Sequence, residues 1–144
     1  MGTATMGKVL VTAKVENLLD LYDVKRGMLT DDKVRHVEVT DALVDTGATT
    51  LSLPIHLVNQ LGLQPVRTRQ ARTSAGAVTL QMYGVVRLTI QDRDWTGDVV
   101  AILDDCPVLI SQLALEGLDF VVDPIGQRLI GNPAHGGEHI IELY

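Results

Sequence analysis

The sequence predicts a single, mostly β domain with one or two short helices. Three observations carry this expectation. The 144 residues suffice for one domain with a core of its own. Hydrophobic residues make up 46% of the chain and are chiefly Val and Leu, with one Trp, one Phe and three Tyr. The core is therefore aliphatic, and β-branched Val favours strands. Apolar residues also alternate with polar ones in short runs, separated by Gly, Pro, Asn and Asp.

In chain order, Val9, Val11, Ala13 and Val15 alternate with Leu10, Thr12 and Lys14, the period of a strand. Asn17 suits the cap of a helical turn over Leu18 to Arg26 that Gly27 would end, with Leu18, Leu19 and Leu21 packed inward. The same segment fits a loop equally well. Val34 to Val39 resumes the alternation and leads through Asp41-Ala42-Leu43-Val44 into a turn, Asp45 to Thr49. Thr50 to Leu53 reads as a strand stopped by Pro54. Pro54 to Leu61 reads as a helix with Pro in its first turn and Gly62 at its end. Val66 to Thr73 and Val78 to Arg87 form a hairpin with a small tip, Ser74-Ala75-Gly76-Ala77. A second hairpin joins Val85 to Gln91 and Trp95 to Leu103 around Asp92-Arg93-Asp94. Pro107 to Ile110 is a buried-type strand, and Leu113 to Leu118 a short helix. Phe120 to Val122 and Gln127 to Ile130 flank a turn at Asp123-Pro124-Ile125-Gly126. The polar stretch Asn132 to Gly137 precedes a last apolar strand, His139 to Leu143. Residues 1–7 are expected to be flexible, and no linker divides residues 1–144.

Several function classes find no support. The formal net charge is −6. The densest basic stretch, Arg67 to Arg72, holds three Arg in six residues and reads as a solvated strand edge; nucleic acid is not an expected partner. No apolar run is long enough to span a membrane. Met1 to Gly7 lacks a signal-peptide layout, and the myristoylation pattern is missing after Gly2, so a cytoplasmic location is expected. The single cysteine, Cys106, excludes an internal disulfide and reads as a buried or half-buried thiol. Of His36, His56, His135 and His139, only the last two have i,i+4 spacing. Gly136-Gly137 between them opposes the helix a zinc motif needs, and that stretch reads as mobile. No metal or cofactor is expected. A Gly-x-Ser-x-Gly elbow and a phosphate-binding loop are both missing.

One short run carries chemistry: Ala42-Leu43-Val44-Asp45-Thr46-Gly47-Ala48-Thr49. A bare Asp-Thr-Gly arises by chance in roughly a few per cent of chains this long, so its setting matters. Leu43-Val44 brings an apolar strand up to Asp45, Gly47 permits a sharp turn, and Leu51 and Leu53 resume the core. The result is a carboxylate on a rigid loop at the edge of an apolar floor. Amide hydrolysis needs both a base and an acid. Two aspartates sharing one proton supply both. The chain has one Asp-Thr-Gly; Asp105 and Asp123 lack the residues that follow it. Pairing Asp45 with its own copy across a two-fold axis is the simplest completion. A homodimer acting on a peptide or protein is thus expected.

The segment Ala42 to Pro54 resembles the active-site loop of retropepsin-like aspartic proteases, the retroviral class and its cellular relatives. The order of elements extends the similarity over roughly residues 34–130, and the material between Gly7 and Lys33 resembles a bacterial or cellular member more than a minimal viral one. The resemblance implies an acid-protease β barrel and an aspartic endopeptidase. It implies that Asp45 is the catalytic acid and base, that Thr46 bonds across the two-fold axis, and that Gly47, Ala48 and Thr49 complete the supporting loop. Ser74, Ala75, Gly76 and Ala77 would be the tip of a flap closing over an extended substrate. Chain ends near Met6 to Val11 and His139 to Tyr144 would form the dimer interface. Two departures stand out. Ser111-Gln112 replaces a frequent Gly-Arg, and Thr49 stands where viral members often carry an Asp that can pair with that Arg. The other reading of the same features is a dimeric peptide-binding module with weak or lost catalysis.

Overall fold

The computed structural model describes residues 8–143. The expectation of a flexible segment 1–7, and the parts of the proposed interface at Met6, Gly7 and Tyr144, lie outside the described residues.

Nine strands and three short α-helices follow one another along the described residues. Strand β1 (Leu10–Asn17) buries Val11, Ala13 and Val15 on alternate positions and leads into α1 (Leu18–Lys25). The Asn17 side chain accepts from the Asp20 N–H, so the segment that the sequence leaves open between helix and loop is a capped helix. The helix count is accordingly three rather than one or two. Its packing differs from the expected inward leucines: Leu19 is 50% exposed, while Asp20 is buried. Asp20 is drawn in by Arg35, whose backbone N–H, Nε and Nη2 donate to it at 2.9–3.0 Å. These bonds hold the Asp20 carboxyl below the usual carboxylate range.

Then come β2 (His36–Val44), β3 (Ser52–Pro54), α2 (Ile55–Gln60), β4 (Gln64–Thr73), β5 (Gly76–Ile90), β6 (Arg93–Ile102), β7 (Leu109–Ile110) and α3 (Gln112–Leu118). Strand order is β1-β2-β7-β3-β6-β5-β4, and β1 also pairs with β5. Those pairings close a ring of six strands into a barrel, with β4 attached outside the ring to β5 alone. The two expected hairpins share β5. Its residues 76–84 pair with β4, whereas residues 86–89 pair with β1. The turn from β5 to β6 is Gln91-Asp92, one residue earlier than expected. Both have positive φ (50° and 67°), the geometry a two-residue hairpin requires.

The barrel interior holds one cluster of buried aliphatic side chains, among them Leu51, Leu53, Leu61, Leu88, Ile90 and Ile110. A separate hairpin, β8 (Phe120–Asp123) with β9 (Arg128–Gly131), covers one end. Its turn extends one residue past Gly126 to Gln127, which takes the left-handed conformation (φ 51°).

Two expectations fail after β9. Residues 139–143 form no strand. Gly136 and Gly137, with φ of 65° and 81°, redirect the chain, and the Ile140 N–H goes to the Asp119 carboxylate rather than to a ladder. The stretch before it, read as mobile, is tied to the body. His135 bonds Asp119 at 2.6 Å and Glu142 at 2.9 Å, and Asn132 bonds Asp119 at 3.1 Å.

Candidate active site

The Asp45 loop joins β2 to β3 and rests on the β7–α3 corner. Its entry is fixed by the parallel pairing of Leu43 and Val44 with Leu109 and Ile110. The Leu43, Val44 and Asp45 N–H groups donate to the carbonyls of Val108, Val9 and Ile110 at 2.8–2.9 Å. Its exit is held by α3: the Gln112 and Leu113 N–H groups donate to the Ala48 and Thr49 carbonyls at 3.0 and 3.4 Å. A loop bonded at both ends to a barrel strand and a helix start presents its side chains on a rigid base.

Within the loop, the Ala48 N–H donates to the Asp45 carbonyl at 3.1 Å, and the Gly47 N–H to Asp45 Oδ1 at 3.0 Å. The Asp45 side chain thus closes a turn on its own backbone and is half-buried, with Thr46 and Gly47 exposed beside it. Gly47 is needed for closeness rather than for a left-handed backbone: a Cβ there would lie 3.2 Å from Asp45 Oδ1.

Ser111, fully buried, fits behind this loop as the N-cap of α3, its Oγ accepting from the Ala114 N–H at 3.4 Å. Gln112 turns outward and bonds Glu116 at 3.1 Å. The substitution of the frequent Gly-Arg pair is therefore accommodated by a cap and a surface hydrogen bond.

A cleft of about 830 Å³ opens on one side of the loop. Ala48, Thr49, Thr50 and Ser52 form its floor, and the β4–β5 hairpin (Arg69 to Arg72, Leu80, Met82) its roof. Trp95, Val100 and Leu113 are its apolar walls. Asp45 is not part of this lining; it stands at the start of the loop whose later residues are. On the other side, Thr46 borders a smaller cavity of about 270 Å³ with Leu43, Val44, Val122 and Pro124. Of the residues singled out in the sequence, Asp45 to Thr49 are together. Of the expected tip Ser74 to Ala77, only Ser74 and Ala75 form the turn: Gly76 and Ala77 already pair with Thr73 and Arg72, and Thr73 Oγ1 closes the turn by accepting from the Ala75 N–H and donating to the Gly76 carbonyl.

Sequence reasoning missed Trp95 and Arg69 as cleft residues. The indole lies against Gly97 and Gly117, where a Cβ on either would collide with it. A lone Trp was the available signal, but its match to a glycine on α3 needs the fold. Cys106 is half-buried, with its thiol pushed up first by burial and then by Asp105, which disfavours a nucleophile. Among the described residues, no group of three His, Cys, Asp or Glu side chains is arranged to hold a metal.

A family model described as "Aspartyl protease" matches residues 31–129. That is well over half of the chain, and the chain belongs to the aspartyl protease family. The Ala42–Pro54 loop, read above as retropepsin-like, falls inside the matched span. No curated protein matches the chain. Among solved structures it is similar to the simian foamy virus (mac) protease in solution, at 17% identity over 76% of this chain and 93% of that chain, with a TM-score of 0.48.

Proposed function

We propose that the chain is an aspartic endopeptidase, active as a homodimer in which each copy contributes one Asp45 loop. The observation that carries this reading is the Asp45 carboxylate, fixed by the Gly47 N–H on a loop whose next residues floor an open cleft. Peptide hydrolysis needs a base to activate water and an acid to protonate the departing groups. Two carboxylates about 3 Å apart cannot both ionise, so the pair carries one proton and supplies both functions. The second carboxylate comes from Asp45 of a second copy. Exposed apolar residues near the chain ends support such an association: Leu10 at 53%, Ile141 at 77% and Leu143 at 87%. In the dimer, the Thr46 hydroxyl bonds across the two-fold axis. The β4–β5 hairpin closes as a flap over an extended peptide, its Ser74–Ala77 tip excluding water.

The test is cleavage of a peptide library at mildly acid pH by wild type and Asp45→Asn, with sedimentation of both. Wild type should cleave, and the variant should lose roughly 10²–10⁴-fold in kcat/KM while still sedimenting as a dimer. Equal cleavage by the two proteins removes Asp45 from the mechanism. Peptide binding without cleavage by wild type leaves a binding module in place of an enzyme.

A further inference from the structure

We infer that the cleft selects peptides carrying an acidic side chain, and that Arg69 is the residue that reads it. The inference deepens the endopeptidase reading and rests on it for the identity of the ligand as a peptide.

The register of the β4–β5 hairpin sets which side chains face the cleft. Arg67 lies opposite Met82, Arg69 opposite Leu80 and Ala71 opposite Val78. Directly opposed residues share a face of the ribbon. Met82 is buried and Leu80 half-buried, and both line the cleft, so Arg67, Arg69 and Ala71 belong to the inner face. Gln70 and Arg72 also border the cleft, but they pair with Thr79 and Ala77 on the other face of the ribbon, where the Gln70 amide donates to Thr79 Oγ1 at 2.9 Å.

The charges of this inner face do not cancel. Arg67 is neutralised by an ion pair with Asp98 on β6. Arg69 has no carboxylate partner among the described residues; its one hydrogen bond is a weak 3.5 Å contact from Nη1 to the neighbouring Thr68 carbonyl. The chain as a whole carries −6, yet the roof of its cleft presents an uncompensated guanidinium above walls of Trp95, Val100 and Leu113. Such a group offers a planar fork of donors that a carboxylate accepts in pairs. A lysine or arginine of the peptide would meet like charge in a site that loses water as the hairpin closes. The apolar walls take the stem of the same side chain or its neighbour, which favours Glu over Asp for reach.

The test is a set of peptides with one apolar cleavage site and Glu, Gln or Lys placed at each flanking position in turn. Binding, by fluorescence anisotropy to the Asp45→Asn protein, and cleavage by the Asp45-containing protein are both read, at pH 6 and pH 3.5. At one position Glu should be preferred over Lys roughly tenfold at pH 6. The preference should fade at pH 3.5, where a peptide glutamate is largely neutral. Arg69→Gln should level the preference and Arg69→Glu should invert it toward Lys. An unchanged Glu-to-Lys ratio in Arg69→Glu overturns the inference, whether or not cleavage occurs. Loss of cleavage with a charge preference still visible in binding overturns the endopeptidase reading and leaves this one standing.

Discussion

Gly47 and Asp45 form one unit at the residue scale. The Gly47 N–H orients the carboxylate, and the missing side chain lets it come close. In Gly47→Ala the added carbon lies 3.2 Å from Asp45 Oδ1, a contact relieved by a shift of a few tenths of an ångström. The loop is exposed at this point. Stability should change by less than about 1 kcal/mol, whereas a reacting group moved out of line loses activity steeply. Peptide kinetics beside urea unfolding should show kcat/KM falling about tenfold or more with an almost unmoved midpoint. A parallel loss in both would mean that Gly47 serves only the fold. This part of the site was legible in the sequence because Asp45 to Thr49 is contiguous: the turn is made by its own side chain and backbone. Ser111 was legible as a departure but not as a solution. Its new duty, capping α3, depends on where that helix begins. Arg69 read only as part of a basic strand edge, because its cross-strand neighbour Leu80, and the Asp98 that neutralises Arg67 but not Arg69, are set by two hairpin registers.

Among the elements, β6 and α3 meet at Trp95. The indole sits over Gly97 on its own strand and against Gly117 of the helix. Gly117→Ala sets two effects against each other. Helix propensity favours the alanine by about 0.8–1 kcal/mol. The new Cβ collides with an indole that Gly97 already confines, and such overpacking costs about 1–3 kcal/mol. The collision wins, so Gly117→Ala should be destabilised in chemical denaturation despite being the better helix former. A stabilised variant would mean that the indole has room to move, and the cleft wall with it. The strands themselves were readable from the period of two, and the helix ends from Asn17, Pro54 and Gly62. What period alone did not resolve was that the overlapping runs Val78–Arg87 and Val85–Gln91 are one strand. Residues 139–143 show the opposite failure: their apolar pattern suits a strand, but Gly136 and Gly137 redirect the chain and the Asp119 carboxylate takes the Ile140 N–H.

For the molecule as a whole, the chain end is fastened by a proton-dependent clasp. The side chains of His135 and Asp119 are 14% and 10% exposed, and Asp119 also binds Asn132 and the Ile140 N–H. The hydrogen bond from His135 pulls the Asp119 carboxyl down to about 2 from 3.8. Its contribution is present above pH 3.8 and is lost as pH falls through about 2. The Asp119 hydrogen bond, followed by that of Glu142, raises His135 from 6.5. That contribution is complete below pH 6.5 and is lost as pH rises through the folded value. The clasp is therefore tightest between about pH 4 and 6.5. The gap in melting temperature between wild type and His135→Gln should be wider at pH 5 than at pH 9. An equal gap, or a wider one at pH 9, would show that the imidazole acts without its charge.

The change of partners along β5 has a mechanical consequence. From residue 76 to 81 the strand is paired with β4 alone, residues 82 and 83 also pair with β6, and from residue 86 it is bonded to β1 within the closed ring. The ribbon is thus a cantilever clamped at its root. A bend confined to residues 68–81 would break no β1 or β6 rung and would leave the β2–β7 pairs that carry Asp45 as they are.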